Sequence, residues 1–354
     1  MKFPFYIKAS LILTGLVAFI ALLFVTQRII VPVIYATIFA IVVNPLVNYF
    51  ISKKINRIVS ITITVLLVLC FVVLVISFLT SQGSKLSESL SELGDKFYAL
   101  LDQGIIWVSQ KFHIMPDRLN RWLFNLRAEI VNDSSAVIGQ TLVYTGNVLV
   151  IVVLIPVYIF MILYYKPLLL EFVHRLFRSE KHNEINEILI TIRKIIQSYL
   201  MGLMLEALII ASLNSVSLLI LGIDYAILLG IIGAIFNVIP YIGGILAVSL
   251  PFVMALATKP SFSYAFLVLL AYIIIQFIDN HYIVPKVVAS KVKINALVSV
   301  IVVLAGSMLW GIPGMLLSIP LTAIIKVVFD HTRELKPWGF LLGDTMPDKI
   351  NNVH

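Results

Sequence analysis

Apolar runs of about 20 residues recur along this chain from end to end, separated by short charged segments. Five of them are full length, at residues 7–26, 29–51, 57–80, 139–165 and 197–221, and a further one covers 263–283. About 20 helical residues cross a bilayer core of roughly 30 Å, and most of these runs lack the polar face of a soluble helix. The pattern predicts an all-α polytopic membrane protein. Two more apolar stretches, 225–257 and 294–329, are too long for one span. Pro240-Tyr241 and Gly311-Ile312-Pro313-Gly314 break them into limbs of roughly 15 residues, about 23 Å long and so short of the core. Each reads as a broken, re-entrant helical hairpin, which brings the expected total to about eight membrane segments.

The charged segments orient these elements. Ser52-Lys53-Lys54-Ile55-Asn56-Arg57, the run Lys286, Lys291 and Lys293, segment 166–196 and the tail 331–354 are all rich in Lys and Arg. Under the positive-inside rule they lie in the cytoplasm, with both termini. The first hairpin then enters from outside and the second from inside, each after a span, which is an inverted repeat of the kind found in secondary transporters. At an offset of 69 residues, the run from Tyr241 to Pro251 lies over that from Trp310 to Pro320, aligning an aromatic, a Gly/Pro cluster and Ser-x-Pro. The predicted organisation is a three-span scaffold at 1–80, an extracytoplasmic amphipathic segment at 81–138 and a fourth span at 139–165. Cytoplasmic amphipathic helices at 166–196, a transport bundle at 197–330 and the cytoplasmic tail follow.

Composition supports the bilayer as partner: 60% of the residues are hydrophobic and 12% charged, against about 25% charged in soluble domains. The net charge of +8 is spread over the loops, which argues against a nucleic-acid partner. The single cysteine, Cys70, allows neither an intramolecular disulfide nor a cysteine zinc site. Lys2 and Lys8 precede an apolar stretch as in a signal peptide, but no small-residue cleavage pattern follows, so the stretch reads as a retained span. No phosphate loop, H-E-x-x-H or G-x-S-x-G occurs, so no enzyme activity, cofactor or metal site is expected.

Two carboxylates fall inside apolar runs, Glu206 near mid-depth of its span and Asp279 in the last third of its own. A charge at the bilayer centre costs at least ~2.5–3.5 kcal/mol, so such groups are protonated, paired or functional. Each is a candidate to carry a proton or ligate Na⁺, against the plainer readings of a protonated helix contact for Glu206 and pairing with Lys286 for Asp279. The expected substrate site lies where the two hairpin turns meet, with Asn237, Pro240, Tyr241 and Gly243 from the first and Gly311, Pro313 and Ser318 from the second. Gln276 and Asn280 on the span between them add neutral donors and acceptors, as does Asn214, the plainer role for such groups being helix contacts.

The run from Asn237 to Gly243, then Gln276, Asp279, Asn280 and Pro285, then Gly311 to Leu321 with Lys326, resembles the autoinducer-2 exporter family of bacterial membrane permeases. The similarity is most specific over about residues 195–330. It departs from the family pattern at Ala289, where relatives carry Gly, at Ala296, where they often carry Pro, and at Gly202-Leu203, where they carry Gly-Gln. The resemblance implies a homo-oligomer, a pentamer in form, in the bacterial cytoplasmic membrane that exports small solutes. Members are assigned either autoinducer-2 export or Na⁺(Li⁺)/H⁺ antiport, and both fit these residues. A non-transporting membrane scaffold or receptor using residues 81–138 is the alternative of a different class.

Overall fold

The computed structural model describes residues 4–83, 153–177, 182–240, 242–288 and 292–344. Most of the expected extracytoplasmic segment, the start of the fourth span, Tyr241, Ala289 and the end of the tail lie outside the described residues. Among the described residues the chain is helical, with one isolated β-bridge and no strand. The helices are α1 (Phe5–Val25), α2 (Gln27–Ser52), α3 (Arg57–Gly83), α4 (Val153–Arg175) and α5 (His182–Ile220). There follow α6 (Ala226–Asn237), α7 (Gly243–Thr258), α8 (Ser263–Ile278), a π-helix over Asp279–Val288, α9 (Ala296–His331) and α10 (Lys336–Leu342). Among the described residues six helices are long and apolar enough to cross a membrane, the π-helix counting as the end of α8. Their outward surfaces carry Leu, Ile, Val and Phe in quantity, as on Leu66, Leu67, Phe71 and Leu74 of α3. A soluble protein does not leave so broad an apolar surface uncovered, whereas lipid chains cover it at no cost.

Where the lipid offers no hydrogen bonds, the chain supplies them itself. Pro45, inside α2, has no N–H for the Ile41 carbonyl one turn earlier, and Gln197 Nε2 of α5 donates to that carbonyl at 2.6 Å. Pro167, inside α4, leaves the Leu163 carbonyl free in the same way. Arg57 Nη2 donates to it at 2.8 Å and to the Tyr164 carbonyl at 3.0 Å. The buried Thr64 hydroxyl bonds back to the Ser60 carbonyl within its own helix, at 2.9 Å. Around these links Ala36, Ala40, Val47, Ile61, Ile159 and Leu163 form the buried contact of α2, α3 and α4.

The charged segment 166–196, expected as cytoplasmic amphipathic helices, is helical without a break from the spans: α4 continues to Arg175 and α5 runs 39 residues from His182. Charges mark where a helix leaves the hydrocarbon and do not end it, and Pro167 is tolerated because Arg57 caps the carbonyl it frees. The first two spans also differ from a simple helical pair. Thr26 alone joins α1 to α2, less than the 2–5-residue loop of an antiparallel pair. None of the described α1 side chains is buried, so α1 bends away from α2 instead of lying along it.

The first hairpin has limbs of 12 and 16 residues, about 18 and 24 Å, with the break at residues 238–242. It is held to α5 by close backbone approach: a Cβ on Gly230 would overlap Ser215 of α5. The second hairpin is folded within α9. Trp310 and Gly311 leave the helical region there, Gly311 with φ +63°, a left-handed conformation that favours glycine. The chain doubles back so that Gly306 touches Gly314 and Ser318, positions about 12 and 18 Å apart along a straight helix. Its two ends meet as well, since Asn295 caps the start of α9 through the Val298 N–H (2.8 Å) and donates to the Leu341 carbonyl of α10 (2.7 Å). The second limb, residues 312–331, is about 30 Å long, so the limbs are unequal where the pattern suggested equal short ones.

If Gln197 caps the carbonyl freed by Pro45, Gln197→Ala should lower stability by about 1–3 kcal/mol, the cost of a buried group left unpaired. The penalty should shrink when Pro45→Ala restores an N–H to the same carbonyl. Denaturant unfolding of the four proteins in detergent measures this coupling, and an equal penalty in both backgrounds rejects it.

Candidate functional site

A cavity of about 800 Å³ lies between α5, the turn of the first hairpin and α8 with its π-helical extension. Three features of the chain open and line it. Gly243 packs directly on Phe236 and Asn237, where any Cβ would overlap them, so the turn is tight. Gly244 leaves room for the Gln276 side chain to lie against the start of α7. Gly202 lets α5 approach Val287 and Val288, against which the wider π-helical turns pack.

Asp279 stands where α8 passes into the π-helix and is 1% exposed. Its Oδ2 accepts from Asn237 Nδ2 at 2.8 Å and from Gln276 Nε2 at 3.4 Å. Gln276 Nε2 also reaches Asn280 Oδ1 at 3.4 Å. Asp279 thus ties the hairpin turn to α8, while its Oδ1 has no partner among the described residues. Glu206 of α5 lines the same cavity, is 7% exposed, and has an unpartnered Oε2 among the described residues. The two acids thus line one cavity. A buried carboxylate in a membrane protein is stabilised by a proton or a cation. Pairing with Lys286 was the plainer expectation for Asp279; the partners the structure gives it are amides.

The fold therefore brings Glu206, Asn237, Pro240, Gln276, Asp279 and Asn280 around one cavity, with Gly243 in the turn beside it. It does not bring Gly311, Pro313 or Ser318 there. Trp310 Nε1 donates to the Leu23 carbonyl in the last turn of α1 at 3.1 Å, and Tyr35 Oη of α2 donates to the Pro313 carbonyl at 3.0 Å. Ser318 Oγ donates to the Gly314 carbonyl within its own limb, at 2.6 Å. The second turn is thus held by the N-terminal helices and lines no part of this cavity, where one site shared by both turns was expected. Asn214, fully buried against Gly233, lies off the cavity with neither amide atom partnered among the described residues. Tyr272 was missed. It is buried, lines the cavity and has a hydroxyl with no partner among the described residues. Its signal was its place four residues before Gln276 and seven before Asp279, on the same helix face.

Apolar helices long enough to span a bilayer, with carboxylates and amides gathered at a cavity between them, define the class as a multi-pass membrane permease. The chain matches the model of the AI-2E family transporter over residues 13–334, and it belongs to that family. It is accordingly a transporter by family and not an enzyme. It is similar to the putative transport protein YueF of Bacillus subtilis (strain 168), at 25% identity over 91% of this chain and 87% of that protein. It is also similar to the AI-2 transport protein TqsA of Escherichia coli (strain K12), at 26% identity over 90% of each chain. A third relative, the putative transport protein YrrI of Bacillus subtilis (strain 168), is 31% identical over 39% of this chain and 38% of its own length.

Asn237→Leu removes the 2.8 Å donor to a buried carboxylate and should cost about 1.5–3 kcal/mol. In an Asp279→Leu background the same change should cost much less. Thermal unfolding of the purified variants reads both, and equal costs would show that the two side chains are not coupled.

Proposed function

We propose that this chain is a secondary transporter of the bacterial cytoplasmic membrane that exports a small polar solute, autoinducer-2 or a molecule like it, through the cavity behind the first hairpin. The observation that carries this reading is Asp279, buried in the wall of a cavity that Glu206 also lines, on donors from Asn237 and Gln276 and with one oxygen unpartnered among the described residues. Amides and carboxylates around a space of about 800 Å³ suit a polyhydroxylated solute, and the acids suit a coupling proton or cation. The cargo class is taken from the name of the TqsA relative. In this reading the two hairpins are re-entrant and the two span-plus-hairpin units form an inverted repeat. Alternating access follows from movement of the C-terminal bundle against the N-terminal helices, within a homo-oligomer.

A second reading, Na⁺(Li⁺)/H⁺ antiport, is favoured by the two unpartnered carboxylate oxygens, which offer a small cation a hard oxygen site. Flux in proteoliposomes with imposed Na⁺ and H⁺ gradients separates the two. Solute export predicts movement of a labelled polyhydroxylated solute that an H⁺ or Na⁺ gradient accelerates, and antiport predicts Na⁺-for-H⁺ exchange with no solute present. Under either reading Asp279→Asn and Glu206→Gln should abolish the response to the gradient. Wild-type gradient response in both variants rejects the coupling role, and no flux of any solute or cation rejects transport through this cavity.

A further inference from the structure

A second opening lies away from this cavity, between α2, α4 and α5. Two hollows of about 360 and 260 Å³ share Asn44, Leu163, Lys166 and Leu170, so they form two arms of one groove. Its polar end gathers Lys166, Arg57, Arg193 and the amide of Asn44. Lys166 Nζ donates to Asn44 Oδ1 at 3.0 Å. Asn44 is 5% exposed, and its Nδ2 has no partner among the described residues. Arg57 lines the smaller arm and Arg193 the larger, and Lys166 lines both. No carboxylate lines either arm among the described residues. Beyond this end the walls are aliphatic, with Ile41, Ile162, Leu169, Leu189 and Ile190.

Three positive charges and a buried, unused amide N–H call for an anion with several acceptor oxygens. The aliphatic walls call for hydrocarbon attached to it. The bilayer around these helices supplies that combination, and basic pockets between membrane helices are suited to anionic headgroups. We propose that the α2/α4/α5 groove binds one anionic phospholipid, its phosphate on Lys166, Arg193 and Asn44 Nδ2 and an acyl chain along the aliphatic arm. Bound there, the lipid bridges the N-terminal helices and α5, the same pair that Gln197 joins through the Ile41 carbonyl.

The test uses the intact protein in detergent, titrated with phosphatidylglycerol or phosphatidylcholine and read by native mass spectrometry. Wild type should hold one phosphatidylglycerol per protomer in clear preference to phosphatidylcholine. Lys166→Gln with Arg193→Gln should weaken phosphatidylglycerol binding by about tenfold or more, since each basic side chain near an anionic surface contributes roughly fivefold. Leu170→Trp, which fills the groove and keeps its charges, should weaken it too and guards against misfolding of the charge variant. Arg175→Gln, outside the groove on the same helix, should leave it unchanged. Equal binding of the two lipids by wild type, or wild-type binding by both groove variants, overturns the proposal. So does displacement of the lipid by inorganic phosphate, which would mark a site for a free anion.

Discussion

In hydrocarbon a backbone carbonyl that loses its helical partner finds no water to replace it, and each such group left bare costs several kcal/mol. This chain places prolines inside its helices and breaks α9 at Gly311, so it creates such carbonyls repeatedly. The groups that answer them come from other helices, Gln197 for Ile41 and Arg57 for Leu163, and Trp310 likewise reaches the Leu23 carbonyl at the end of α1. Because each cap reaches from a distant part of the chain, the repair of local helix defects also fixes which helices lie together. Tertiary structure here rests on these links and on close small-residue contacts, since lipid leaves little hydrophobic drive between helices.

The same constraint separates the two hairpin turns. At the second, Tyr35 and the last turn of α1 take up the exposed polar groups, so the turn becomes a joint between the N-terminal helices and α9. At the first, Asn237 turns its amide towards Asp279, and the space beside the turn stays open and polar. There a buried acid held by two amides has one oxygen without a partner among the described residues.

Much of this was legible in the sequence, because apolar runs of membrane length and prolines within them have few other readings. Glu206, Asn237, Gln276 and Asp279 stood out for the same reason, as polar groups in stretches that otherwise exclude them. The π-helix over Asp279–Val288 was not legible. Its wider turns accompany Pro285 and the close approach that Gly202 allows to α5, and a tertiary contact leaves no local pattern. The continuity of α4 and α5 was obscured by their charges, which mark the membrane edge but not the helix end. The place of the second turn depended on Trp310 and Tyr35, whose partners lie 287 and 278 residues away along the chain.

The central claim is that the cavity behind the first hairpin is the path of the cargo. With Cys70 replaced by serine, Val248→Cys places one thiol on the cavity wall. Its labelling rate by a small membrane-impermeant maleimide, in membranes with and without the transported solute, is the most direct measurement. The account predicts labelling from the aqueous phase that the solute slows in proportion to its occupancy. A thiol that never labels, or one whose rate ignores a solute the protein demonstrably moves, would contradict it.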